Sequence, residues 1–179
     1  MENKLKILGF DSWTGGANHF ERLLPALEAL SIQLTLVHIS SWGNDPKCLP
    51  EAKINNLLTR DIAFYGSDSF ERILDIEKPD AVILTSTDTF AHRAFIRYCE
   101  QRSIPTLNLY QGLVGATADS DTKSYKTSRT AYARYVLSKI YKLLRHTFPC
   151  YIKALLKTKA TPKDWRRFLS DIYHLATSA

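Results

Sequence analysis

Apolar residues in this chain fall into short unbroken runs, separated by stretches whose apolar positions recur three and four residues apart. The runs Lys4–Phe10 (KLKILGF), Gln33–Ser40 (QLTLVHIS), Asp61–Tyr65, Ala81–Thr85 (AVILT) and Ile104–Tyr110 (IPTLNLY) read as strands. Unbroken runs, rather than alternation with period two, are the mark of strands buried on both faces. The intervening stretches predict helices over Ala17–Leu30, with Phe20, Leu23, Leu24, Leu27 and Leu30 on one side, from Ser67/Asp68 to Glu77, and from Thr89 to Arg102. A further short helix is expected over Ala52–Leu58. Pro25 is expected to kink the first helix or shift its start, because proline lacks an N–H and crowds the preceding turn. Ser86, Thr87 and Asp88 offer caps for the helix that follows them. Strand and helix alternate about five times, which predicts an α/β fold: a doubly wound parallel sheet of about five strands or more, spanning residues 4–115, with right-handed crossovers.

After Gly115 the pattern changes. Residues 116–128 are polar and read as a loop. Residues 129–179 read as a basic amphipathic helical segment packed on the first domain or appended to it. One helix is expected from Tyr132 to about Phe148, interrupted at Pro149 and resumed over Tyr151–Lys157. Another, opened by Pro162, is expected from Lys163 to about Leu175.

Charge sharpens this division. Residues 1–122 hold 11 Lys+Arg and 16 Asp+Glu, a net of −5, whereas residues 123–179 hold 13 and 2, a net of +11. Such asymmetry points to an anionic partner for the second segment. Its apolar residues are too many and too helically spaced for a simple phosphate-binding tail, so nucleic acid is not the expected partner. The expected partner is an anionic membrane surface, met by Lys139, Lys142, Arg145, Lys153 and Lys157 while part of the apolar side packs on the sheet.

Met1–Phe10 does not read as a signal peptide, and no window of the sequence approaches the roughly 18 apolar residues of a membrane span. Cys48, Cys99 and Cys150 are far apart and make no CxxC pair. The expectation is reduced thiols in the cytoplasm, on a protein that is peripheral, if membrane-associated at all, at the inner face. With no Cys/His cluster along the sequence, neither a metal nor a cofactor is expected.

Ligands of open α/β sheets lie outside the carboxyl ends of the strands. Three loops qualify: Asp11-Ser12-Trp13-Thr14-Gly15-Gly16-Ala17-Asn18-His19, Ser86-Thr87-Asp88 with Thr89 and His92 behind it, and Gln111-Gly112-Leu113. The Gly15-Gly16 pair lets backbone amides approach an anion, or simply makes a tight strand-to-helix turn. It fits neither the dinucleotide fingerprint nor the phosphate loop of nucleotide hydrolases. His19 has the ordinary pKa of a general base, and Asp11 would orient it or act as the base itself. Ser12, Thr14, Gly15, Gly16, Asn18, Thr87, Asp88, Gln111 and Gly112 are the candidate substrate-binding residues. Asp88 and His92 stand four apart, and two such groups are too few to argue for a metal.

Strand KILGF, the Gly15-Gly16 loop with His19, and the helix FERLLPALEAL feeding strand LTLVHIS together resemble the N-terminal domain of GT-B glycosyltransferases. The stretch from Ala81 to Gly112 is also similar to the corresponding part of the non-hydrolysing UDP-N-acetylglucosamine 2-epimerases, with Thr87-Asp88-Thr89 resembling their Asp-Thr loop. The resemblance implies an acceptor-binding half of a sugar transferase in polysaccharide or lipid-linked glycan synthesis. His19, with Asp11 second, takes the base role. A nucleotide-sugar donor would then be held by a second domain or a separate subunit. The alternatives are a non-catalytic α/β binding module with a basic membrane- or nucleic-acid-binding tail, and half of a UDP-N-acetylglucosamine 2-epimerase-like enzyme.

Overall fold

A computed structural model describes residues 4–12, 17–43, 48–66, 68–109, 137–138 and 140–177. The chain builds one six-stranded, mostly parallel sheet with helices around it. The strands are β1 (Lys6–Asp11), β2 (Gln33–His38), β3 (Glu51–Ile54), β4 (Leu57–Asp61), β5 (Ala81–Leu84) and β6 (Thr106–Asn108). The helices are α1 (Ala17–Glu21), α2 (Leu24–Ala29), α3 (Phe70–Glu77), α4 (Phe90–Gln101), α5 (Phe148–Lys157) and α6 (Pro162–Thr177). Across the sheet the order is β3-β4-β2-β1-β5-β6, and only the β3–β4 pair is antiparallel. The chain therefore builds outward from β1 through β2 to β4, then returns to the other side of β1 with β5. The strand order reverses between β1 and β5.

Alternate strand residues feed two apolar clusters. Leu8, Phe10, Val37, Val82 and Leu84 join Phe70, Ile73, Ala94, Phe95, Tyr151, Ala154, Leu155 and Phe168 in the larger one. Leu34, Leu36, Leu57 and Ile83 join Ala17 and Phe20 in the smaller, with Leu23, Leu24 and Leu27 against it. Apolar packing on both parities explains why the strands read as unbroken runs.

Several boundaries differ from the sequence reading, each for a local reason. The first helix is two helices: α1 ends at Glu21 and α2 starts at Leu24 with a proline in its first turn. Pro25 would lie over the carbonyl of Glu21 in an unbroken helix, so the break falls there. The short helix expected over Ala52–Leu58 is instead a hairpin, β3 and β4, turned by Asn55 and Asn56 at φ 45° and 72°. Two consecutive positive φ values are what a two-residue hairpin turn requires. The strand expected over Asp61–Tyr65 ends at Asp61, whose side chain accepts a hydrogen bond from the Ala63 amide and caps a 3₁₀ turn over Ile62–Tyr65. The cap of α4 is Thr89, which accepts from the His92 amide, rather than Ser86, Thr87 or Asp88.

Pro149 does not break the last part of the chain. Leu143–Thr147 is a π turn leading into α5, and Pro149 sits in the first turn of α5. The Phe148 amide reaches the Leu143 carbonyl, and the Thr147 hydroxyl donates to the carbonyl of Lys142. The wider turn makes room for a ring that an α-helical turn would exclude. The α5 helix packs on α4, and α6 is tied to α4 by Arg93–Asp171 and Arg97–Asp164 ion pairs. No helix among the described residues is long and apolar enough to cross a membrane.

Candidate functional site at the carboxyl edge of the sheet

The strands β4, β2, β1 and β5 end in polar residues that stand side by side. His38 pairs with Asp11 across β1–β2, and with Asp61 across β2–β4. On the other side, Phe10 pairs with Leu84, which brings Thr85 beside Asp11. Parallel strands in register send neighbouring residues to the same face. Asp61, His38, Asp11 and Thr85 thus form a row along the carboxyl edge, on the side that carries α1. Asp61 is 0 % exposed, His38 1 % and Asp11 5 %. Buried polar groups on this scale require partners.

At the strand reversal, Thr85 Oγ1 donates to Asp11 Oδ2 at 2.7 Å, while the Ser12 amide donates to Oδ1. This bond closes β1 against β5 at the topological switch point, where open α/β sheets hold their ligands. Lys142 reaches in from the C-terminal helices, its Nζ donating to the Ser12 carbonyl at 2.9 Å. Below lies His92 on α4, 1 % exposed, edge-on to Phe10 with ring centroids 5.1 Å apart. Its Nδ1 is 2.7 Å from Thr89 Oγ1, and its Nε2 is buried without a hydrogen-bond partner among the described residues. Burial holds the His92 pKa below its ordinary value; Asp11 and Asp88 pull the other way and Lys142 adds to the depression.

On the other flank, Asp61 is held by the Ser41 amide at 3.0 Å, the Ser41 hydroxyl and the Ala63 amide at 2.9 Å. Burial alone would raise its pKa, but the donors and the nearby His38 ring outweigh it and keep the carboxyl well below the usual carboxylate range. His38 Nδ1 lies 3.0 Å from Asp61 Oδ2, yet it makes no aligned hydrogen bond; the oxygen lies off the ring's N–H axis.

The sequence-derived candidates divide as follows. Asp11 and Ser12 are at the switch point, and Asp11 is an anchor with both oxygens engaged. His19 is half-buried and Asn18 exposed, both on α1. Thr87 gives its carbonyl to Arg93, and Asp88 is exposed with its amide bonded to Ser86. Thr14, Gly15, Gly16, Gln111 and Gly112 lie outside the described residues. Among the membrane candidates, Arg145 and Lys153 are exposed. Lys157 pairs with Glu71, Lys142 is turned inward to Ser12, and Lys139 lies outside the described residues. Sequence reasoning missed His38, Asp61 and Thr85: Thr85 ends the apolar run AVILT, but His38 lies inside LTLVHIS and Asp61 follows Thr59-Arg60, so only strand order marks those two. A cleft of about 550 Å³ opens at the amino ends of the strands beside Lys4, Gln33 and Leu58, opposite the polar row.

Set beside known proteins, the chain matches no family model, no curated protein and no solved structure.

Proposed function

We propose that this chain is the acceptor-side domain of a GT-B-type glycosyltransferase, a doubly wound α/β unit with a basic helical segment, working in polysaccharide or lipid-linked glycan synthesis. The observation that carries the reading is the Asp11–Thr85 bond across the strand reversal, flanked by Lys142 and His92. A buried polar cluster at that point is where such sheets receive small molecules. In this reading His19 on α1 takes the proton from the acceptor hydroxyl. Asp11, with both oxygens engaged, anchors the end of β1 rather than acting as base. The nucleotide-sugar donor belongs to a second domain or a separate subunit.

A second observation favours work at an anionic membrane surface. Leu137, Ile140 and Leu144, three and four residues apart, are 65 %, 47 % and 62 % exposed, with Arg145 and Lys153 exposed nearby. An apolar stripe beside cations suits an interfacial helix.

Binding of a polyprenyl-phosphate-linked sugar in detergent micelles, followed by amide chemical shifts, tests the acceptor role. Shifts at Ser12, Thr85 and α1 that saturate with the lipid-linked sugar support it. No shift with either a lipid-linked or a polysaccharide acceptor removes it. Sedimentation with phosphatidylglycerol vesicles at low salt tests the membrane part, and a chain that stays in the supernatant removes that part alone.

A further inference from the structure

We propose that His38, Cys48 and Asp61 bind one divalent metal ion, with zinc as the best match. One ring nitrogen of His38, the Cys48 sulfur and a carboxylate oxygen of Asp61 all lie within 4.8 Å of one another. The residues are 10 and 13 apart in sequence, and only the fold joins them. His38 ends β2, Asp61 ends the neighbouring β4, and the Asp61 amide donates to the Pro50 carbonyl at 2.8 Å, which ties the segment after Cys48 to the same strand end.

Three features favour an ion over plain packing. The first is convergence: one donor atom from each residue lies within 4.8 Å of the other two, so that binding an ion asks the Cys48 sulfur to leave its long contact of 3.9 Å with the Leu49 carbonyl. A Cys-His-Asp relay would instead use both ring nitrogens in line, one toward the sulfur and one toward the carboxylate. The second is the alignment of His38. Its Nδ1 is 3.0 Å from Asp61 Oδ2, but off the hydrogen-bond axis and without another partner among the described residues. Two ligands of one tetrahedral zinc stand roughly 3.3–3.7 Å apart with their lone pairs turned to the metal rather than to each other. That is close to the separation of this pair, and the sulfur needs to close in by no more than about an ångström. The third is charge and softness. One thiolate, one carboxylate and one imidazole neutralise a divalent cation, which suits ligands of which two are almost wholly buried. Nitrogen, sulfur and oxygen donors together suit zinc better than the hard cations magnesium and calcium. Three protein ligands leave a fourth position, and Cys48 is only half-buried. His38 pairs with Asp11 across β1–β2, so the site stands one strand from the switch point.

The test uses the reduced, metal-free whole chain, titrated with Co²⁺. The expected result is one equivalent bound, with a thiolate-to-cobalt charge-transfer band that Zn²⁺ abolishes by displacement. Cys48→Ala loses the band and weakens zinc by at least about 100-fold, the upper end of what loss of an outer-shell partner costs. Cys99 and Cys150 are buried in the larger apolar cluster and are not part of this group of donors. A measurement on the unaltered chain guards against a variant that misfolds: one equivalent of Zn²⁺ should slow alkylation of Cys48 by iodoacetamide, located by mass spectrometry. Absence of the charge-transfer band, its persistence in Cys48→Ala, or alkylation of Cys48 unaffected by Zn²⁺ each overturns the proposal.

Discussion

Gly9 lies beneath Phe20 with no room for a methyl group: a Cβ built there would stand 2.7 Å from the ring's Cε1. Phe20 is fully buried, so the ring has nowhere to retreat. The absence of a side chain at Gly9 is therefore what lets α1, the helix that carries His19, dock closely on β1. Gly9→Ala should cost about 1–3 kcal/mol through overpacking, read from urea midpoints. A loss under a few tenths would mean that α1 is not docked as described. His92 makes a second prediction at this scale. Its folded pKa lies below 6.5, the value it regains on unfolding, so below about pH 6.5 the unfolded chain binds more protons than the folded one. The stability His92 contributes is present above that pH and is lost as pH falls through the folded value. Asp11 and Asp88 soften the effect and Lys142 strengthens it. His92→Phe keeps the ring contact with Phe10 and removes the titration, so its stability should fall less between pH 7 and 5.5 than that of the unaltered chain. Equal slopes would reject this role.

At the scale of elements, the hairpin β3–β4 shows what local pattern conveys and what it does not. Asn55 and Asn56 both sit at positive φ, and Asn55 Nδ2 also donates to Glu21 Oε2 at 3.0 Å, whereas the Asn56 side chain makes no hydrogen bond among the described residues. Asn56→Gly should therefore stabilise the chain by about 0.5 kcal/mol, since glycine adopts this conformation without steric cost. A lower melting temperature for the variant would contradict the turn. This hairpin was not legible because β3 is a short edge strand whose residues, Glu51 to Ile54, alternate between exposed and half-buried. It carries no apolar run, and Ala and Leu around it favour helix. The strands β1, β2 and β5 were legible, because each is packed on both faces and leaves an apolar run. Pro25 punctuated the chain as expected, whereas Pro149 did not, because the π turn before it absorbs the ring. That compensation depends on the Thr147 hydroxyl and on packing against the sheet, neither of which a periodicity conveys. The same limit applies to the polar row. Asp11 was visible beside a glycine pair, but His38, Asp61 and Thr85 gain meaning only when strand order sets them next to it.

At the scale of the whole molecule, the two halves of opposite charge share the larger apolar cluster. The Ala154 and Leu155 side chains of α5 are essentially unexposed, and Tyr151 and Phe168 pack with Phe90 of α4. Trp42, after β2, stacks on His146 with centroids 5.3 Å apart, and Asp68 receives the Trp42 Nε1–H at 3.0 Å. The basic segment is thus held to the acidic half by apolar burial in its centre and by polar contacts at its margins. Ion pairs at partly exposed positions such as Arg97–Asp164 contribute modestly, about 0–1 kcal/mol each, so the burial dominates. Leu155→Ala should then cost about 3 kcal/mol, and the loss should be felt far from α5. Hydrogen exchange at the amides of β1 and β5 should accelerate together with that of α5, because the strands and the helix share the cluster built on Phe10, Leu84 and Phe95. Were the segment an appended module, the same substitution would loosen α5 and α6 while the sheet amides kept their protection. That comparison decides whether a surface that meets lipid through α5 and the π turn would be mechanically continuous with the polar row, which Lys142 already touches.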